Sequence, residues 1–285
     1  MENRKVKIIA DSTCDLSPEQ IAENNISIIP LCIVLEDKSY FDLEEITPDE
    51  IYQWADENKK MPKTAAISIE HAVKLIQTFR KENEDIIFIG ISEGMSTTCN
   101  VMRLASQMME EGRVFVIDSM NLSTGIGLQV LKAAQMAREG RTAEEIVKEI
   151  EAARGRVRAS FVVDTLTYLA RGGRCSGVTA LLASALKLHP RINVVNGNME
   201  VGTKYRGSLS RAMKQYLEDL KDELLQAEEE IVFITHSGID EEILAQVKEY
   251  LEGLDYFKEI VITRAGGVIS SHCGPGTLGV LFYVK

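Results

Sequence analysis

No stretch of this 285-residue chain stays apolar for the ~20 residues that a membrane-spanning helix needs. The five cysteines, Cys14, Cys32, Cys99, Cys175 and Cys273, are widely spaced, odd in number and form no C-x-x-C pair. That argues against zinc and dithiol redox motifs and leaves reduced thiols in a cytoplasmic protein as the simplest reading. The four histidines, His71, His189, His236 and His272, are far apart, and no H-E-x-x-H pattern occurs, so no metal is expected. A Walker-type loop, a dinucleotide-type glycine motif and a G-x-S-x-G elbow are all missing. Cations are in deficit: the net charge is −11, which repels phosphate backbones and excludes nucleic acid as a general partner. There is no secretory apolar segment after Met1, no internal repeat and no Pro/Ser-rich linker. The expectation is a cytoplasmic protein without cofactor or metal.

Against those absences stands an ordinary globular composition, 45% hydrophobic and 26% charged. Strand-like and helix-like segments alternate. Val6 to Ala10 predicts a strand, followed by a polar loop over Asp11 to Asp15. Ser17-Pro18-Glu19-Gln20, Thr47-Pro48-Asp49-Glu50 and Thr142-Ala143-Glu144-Glu145 each predict a helix start, with a hydroxyl at the N-cap and Gln or Glu three residues on. Ser27 to Leu35 predicts one further strand. The apolar run from Ile86 to Ile91 predicts a strand covered on both faces, and Val114 to Ile117 another. This β-then-α order predicts an α/β fold whose N-terminal domain, residues 1–157, is a three-layer parallel-sheet structure of Rossmann-like type. Three polar loops, 11–15, 92–100 and 118–123, fall beyond carboxyl ends of its strands, where such sheets hold ligands. From 158 to 285 the texture changes to a second α/β domain with a mixed sheet, its strands near 160–163, 192–195, 231–235, 259–263 and 280–284. A ligand is expected between the two domains.

Three groups of residues carry candidate chemistry. Gly266 to Gly279 places His272 in a segment dense in Gly and Ser, read as a loop, where backbone approaches a ligand closely and an imidazole donates or accepts a proton. Thr64 and Ser96 each precede a predicted helix, where free N–H groups favour an anion. The same hydroxyls serve equally well as plain N-caps. Arg171-Gly172-Gly173-Arg174, read as an exposed loop, and Lys204-Tyr205-Arg206-Gly207 offer cations to an anion or a partner.

In order and spacing, Asp11 to Leu16, Pro62-Lys63-Thr64, Ile91 to Thr98, Val116 to Ser119, Phe161 to Leu166, Leu169 to Arg174, Lys204 to Gly207 and Ser271 to Gly276 resemble the DegV family of bacterial fatty-acid-binding proteins across essentially the whole chain. The resemblance implies a two-domain protein, not itself an enzyme, that buries a long-chain fatty acid as its only ligand. It implies that Thr64, Ser96 and His272 hold the carboxylate, with Ser12, Thr97 and Gly274 in support. It further implies presentation of the lipid to a separate ATP-dependent fatty acid kinase for acyl-phosphate formation in phospholipid metabolism, with Arg171, Arg174 and Arg206 on the partner surface. The family's usual Thr-Ser-Gln-Pro-Ser is here Thr64-Ala65-Ala66-Ile67-Ser68, and its Ser-Gly-Thr-Tyr-Gln is Ser96-Thr97-Thr98-Cys99-Asn100. Two other readings stay open: a lipid acyl hydrolase with Ser96 as nucleophile and His272 as base, or a non-catalytic lipid sensor.

Overall fold

Burial on both faces explains the apolar run at 86–91. The computed structural model describes residues 4–81, 83–109, 113–184 and 187–285. The chain begins with β1 (Lys5–Asp11), α1 (Pro18–Glu23), β2 (Ser27–Ile29), β3 (Cys32–Leu35), β4 (Lys38–Phe41), α2 (Pro48–Asn58) and β5 (Lys63–Ala65). It continues through α3 (Ile69–Phe79), β6 (Glu84–Gly90), α4 (Thr98–Gln107), β7 (Val114–Asp118), α5 (Thr124–Arg138) and α6 (Ala143–Ala153). Strands β2-β1-β6-β7 form a parallel sheet. Alternate residues of β1 and β6 point to opposite sides. Ile9, Ile86 and Phe88 pack on α3 and α4, whereas Ile8, Ala10, Ile87 and Ile89 join the core that includes α5 and α6. Each such fully buried isoleucine contributes about 1.5–3 kcal/mol.

The remaining elements are β8 (Val157–Val162), α7 (Thr167–Gly172), β9 (Cys175–Ser176), β10 (Leu188–Val195), β11 (Asn198–Arg206), α8 (Leu209–Leu224), β12 (Val232–His236), α9 (Glu241–Glu252), β13 (Ile260–Arg264), α10 (Gly267–Cys273) and β14 (Leu278–Tyr283). Their strands make one mixed sheet, β13-β12-β14-β8-β10-β11-β9. One face, with Val162, Ile234, Val280 and Phe282, packs on α8 and α9. The other, with Ala159, Phe161, Phe233 and Leu281, packs toward α5. Helix α5 thus lies between the two large sheets and is buried along most of its length. Its Gly127 allows the close approach: a Cβ there would meet the Cys14 carbonyl at 2.9 Å and Leu16 Cδ2 at 2.8 Å.

All three expected capping boxes form, at Ser17, Thr47 and Thr142, and each supplies partners for otherwise orphan backbone groups. Four expectations need correction. The 27–35 segment is two strands in two different sheets: Pro30, which has no N–H to donate, and Leu31 separate β2 from β3, and β3 heads a small antiparallel sheet β4-β3-β5. The 11–15 loop is a buried 3-10 turn, with Asp11 accepting from the Thr13 N–H. Arg171 and Gly172 end helix α7, with left-handed Gly173 as its C-cap, so that segment is not simply a loop. His272 lies in helix α10, not in a loop.

Candidate functional site

The parallel sheet fixes where a site can lie. From β1 the chain moves outward to β2, then returns to the other side of β1 for β6 and β7. The direction of strand order reverses between β1 and β6, and the crevice beyond their carboxyl ends is the natural place for a ligand. A cavity of about 580 Å³ opens there. Leu31, Ile67, Ile91, Met95, Val101, Leu122, Met199, Val268 and Ile269 supply apolar wall; Thr64, Ser96, Thr97, Arg174, His272 and Glu93, whose carboxylate pairs with Arg103, supply polar groups.

Thr64, Ser96 and His272 therefore line one cavity, although they come from three distant segments. Thr64 is not near a helix start as expected; it sits in β5, paired with Ile33. The cap of α3 is Ser68. Thr64 Oγ1 lies 2.7 Å from His272 Nε2. The other imidazole nitrogen, Nδ1, is buried and has no hydrogen-bond partner among the described residues. An unpartnered buried acceptor costs less than an unpartnered N–H, so the ring proton belongs on Nε2. Nε2–H then donates to Thr64 Oγ1, and the Thr64 hydroxyl proton is free to point into the cavity. Burial, helped by the Arg174 charge, depresses the His272 pKa to about 4 and keeps the ring neutral.

Ser96 shows the same division of labour. It lies just before α4, and its Oγ accepts from the Thr98 N–H at 3.3 Å and lies 2.8 Å from Thr98 Oγ1. Either hydroxyl can donate in the second contact; when Thr98 Oγ1 donates, the Ser96 proton is left for a ligand. Thr97 is exposed at the start of α4 and its side chain makes no capping bond. The wall can thus offer the Thr64 and Ser96 hydroxyls, beside the positive end of α4, as donors to an anion whose remainder is apolar.

Among the described residues no hydrogen bond joins Ser96 to His272, and no carboxylate orients the imidazole. The relay a serine hydrolase uses is not assembled.

Two expected supporting residues lie off the cavity wall. Ser12 is fully buried and donates to Asp42 Oδ2 at 2.8 Å while accepting from the Leu31 N–H. Gly274 ends α10 at φ +76°, pressed against Tyr168. The arginines also separate. Arg174 stands at the cavity, its guanidinium donating to the Gly172 and Met95 carbonyls. Arg206 lies at the far end of β11 from β9, in a groove with Lys204, Arg211 and Lys214. Among the described residues none of these four cations makes an ion pair.

Sequence reasoning missed Gly172 as a site residue. A Cβ there would lie 2.5 Å from His272 Nδ1. Gly172→Ala is expected to push the ring off Thr64 and to cost about 1–3 kcal/mol in urea unfolding. Gly155→Ala, with nothing within 4 Å of the added carbon, is the matched control and should be near neutral.

A family model described as "Uncharacterised protein, DegV family" matches residues 5–285. A DegV domain-containing protein of Clostridium perfringens is 35% identical over 283 residues, 99% of either chain. Among solved structures, a DegV family protein from Thermus thermophilus, described as binding fatty acid, superposes with a TM-score of 0.90 at 30% identity, covering 99% of this chain and 100% of that one. DegV from Bacillus subtilis, described as a fatty acid binding protein, superposes with a TM-score of 0.85 at 27% identity over 99% and 100% of the two chains.

Proposed function

The chain belongs to the DegV family, and from that premise we propose that it is a non-enzymatic carrier that holds a long-chain fatty acid between an N-terminal domain, residues 1–157, and a C-terminal domain, 158–285. The observation that carries this reading is the Thr64–His272 pair on the wall of an otherwise largely apolar cavity. A carboxylate buried there needs donors, because an unpaired buried charge is costly. The hydroxyls of Thr64 and Ser96 meet that need, and His272 acts from behind Thr64. The acyl chain contributes about 0.8 kcal/mol for each buried CH₂. The fatty acids of the Thermus thermophilus and Bacillus subtilis relatives support the same ligand class here.

Presentation to a separate fatty acid kinase, with acyl-phosphate as the product, is the finer part of the proposal. Its support is the family resemblance together with Arg174 at the cavity, Arg171 three residues before it, and the unpaired cations around Arg206. Arg206→Ala is expected to leave oleate binding unchanged and to lower acyl-phosphate formation by a kinase of the host with ATP. The five cysteines form no disulfide among the described residues, which fits a reducing, cytoplasmic setting.

Native mass spectrometry of the purified protein, followed by organic extraction, tests the ligand. A bound species with the mass of a fatty acid is the expected result. Protein that carries no lipid and takes up no added oleate would overturn the proposal.

A further inference from the structure

Helix α10 carries His272, yet nothing in its own sequence caps its start. The N-cap is Gly266, which has no side chain. Its first N–H groups are taken instead by carboxyl groups more than 200 residues earlier. Gly266 N–H donates to Asp15 Oδ1 at 2.8 Å, Gly267 N–H to Asp42 Oδ1 at 2.7 Å, and Val268 N–H to Asp42 Oδ2 at 3.3 Å. Asp42 is fully buried, and its Oδ2 also accepts from the Ser12 hydroxyl. Both oxygens of Asp42 thus face donors only. Glycine at 266 and 267 is what admits this contact: a Cβ on Gly267 would meet Asp42 Oδ1 at 2.9 Å and Ile33 Cδ1 at 2.5 Å.

The two ends of α10 rest on one small sheet. Asp42 directly follows β4, and Thr64, the partner of His272, lies in β5; β3 runs between them. Only five residues, about 7.5 Å of helix, separate Gly267 from His272. A shift at the carboxyl end of this contact is therefore carried to the imidazole almost undiminished.

We infer that Asp42, supported by Asp15, is a positioning residue: its two carboxyl oxygens seat the start of α10 and thereby set the His272–Thr64 contact. Asp42 and Asp15 differ in what they tolerate. An Asn at 42 turns an amide N–H₂ toward either the Gly267 N–H or the Val268 N–H and Ser12 hydroxyl, donor against donor. An Asn at 15 keeps one carbonyl for Gly266 and can donate to Ser123, whose Oγ lies 2.5 Å from Asp15 Oδ2.

The test follows the imidazole itself in the full chain, by NMR titration, with His272→Gln identifying its signal among the four histidines. In Asp42→Asn the His272 midpoint should rise by about one to two units from about 4 toward 6.5, as the ring loosens and meets water. Asp15→Asn should leave it in place. Met213→Ala opens a cavity in the α8 side of the core, destabilises without touching α10, and should not move the midpoint either. If Asp42→Asn does not fold, Ser12→Ala removes a single bond to the same carboxyl and should shift the midpoint in the same direction by less. An unmoved midpoint in folded Asp42→Asn, or an equal shift in Met213→Ala, would overturn the inference. Oleate affinity, which rests on the proposed function, should fall about tenfold or more in Asp42→Asn. Wild-type protein that binds no oleate but whose Asp42→Asn variant shows the midpoint shift would defeat the proposed function and uphold this inference.

Discussion

The double variant Thr64→Val, Ser96→Ala should lose oleate affinity by roughly 100-fold or more while remaining folded. Each hydroxyl can donate one proton to a ligand in the cavity, and a hydrogen bond to a charged group is worth about 1.5–3 kcal/mol. Two such losses amount to about 3–6 kcal/mol, or about two to four decades in Kd. The variant also strands the His272 Nε2–H, which loses its acceptor in Thr64. Valine keeps the β-branched shape that suits β5, and alanine leaves Thr98 as the first residue of α4, so the fold has little reason to change. Displacement of a fluorescent fatty acid, read beside a thermal melt, gives both quantities. Unchanged affinity would remove these hydroxyls from the site.

Stability should fall by about 2 kcal/mol between pH 6.5 and 8, a window in which few side chains ordinarily titrate. Burial pushes Asp15 up to about 8, against the opposing bonds from Gly266 and Ser123, with the Asp42 and Asp11 charges adding to the rise. Its folded value lies above the ordinary 3.8, so the stability it confers is complete below 3.8 and drains away as pH climbs toward 8. Asp11, raised by burial to about 6, acts in the same direction over a lower range. His272 has the opposite sign: its folded value, about 4, lies below 6.5, so its contribution is present above 6.5 and lost as pH falls toward 4. From 4 to 6 the His272 slope offsets only one of the two carboxyls, so a net decline with rising pH already begins there. Above 6.5 His272 is silent and the Asp15 slope, about 1.4 kcal/mol per unit, leads the decline, with Asp42, also raised by burial, acting in the same direction. Urea midpoints across this range should therefore decline in the wild type and decline markedly less in Asp15→Asn. A level wild-type profile would contradict a protonated Asp15.

The parts of the fold that obey local rules were plain in the sequence. Three capping boxes announce their helices, and the run at 86–91 announces a central strand, because those signals act within a few residues. Helix α10 was unreadable for the converse reason. Gly266, Gly267 and Gly274 look like a loop, and the groups that hold its first turn, Asp15 and Asp42, lie more than 200 residues away. Thr64 was misplaced because a three-residue strand has no periodicity to detect. His272, Thr64 and Ser96 were found as residue types in a familiar order; the hydrogen bond between two of them, and the glycine that makes room for the ring, belong to tertiary structure alone.

The position of β14 has a kinetic meaning. It fills the middle of the seven-stranded sheet, between β12 and β8, and its partner in β8 was made some 120 residues earlier; Leu278 pairs with Val162 and Tyr283 with Val157. Pairings of that sequence separation form late and slowly. The turn after α10 leads straight into this strand, so the imidazole reaches its threonine only as the sheet closes. The cavity wall draws on residues from Leu31 to Cys273, so its completion needs both ends of the chain in place. Ligand occupancy is then coupled to global unfolding: lipid at a hundred times its Kd should raise the unfolding free energy by about 2.7 kcal/mol.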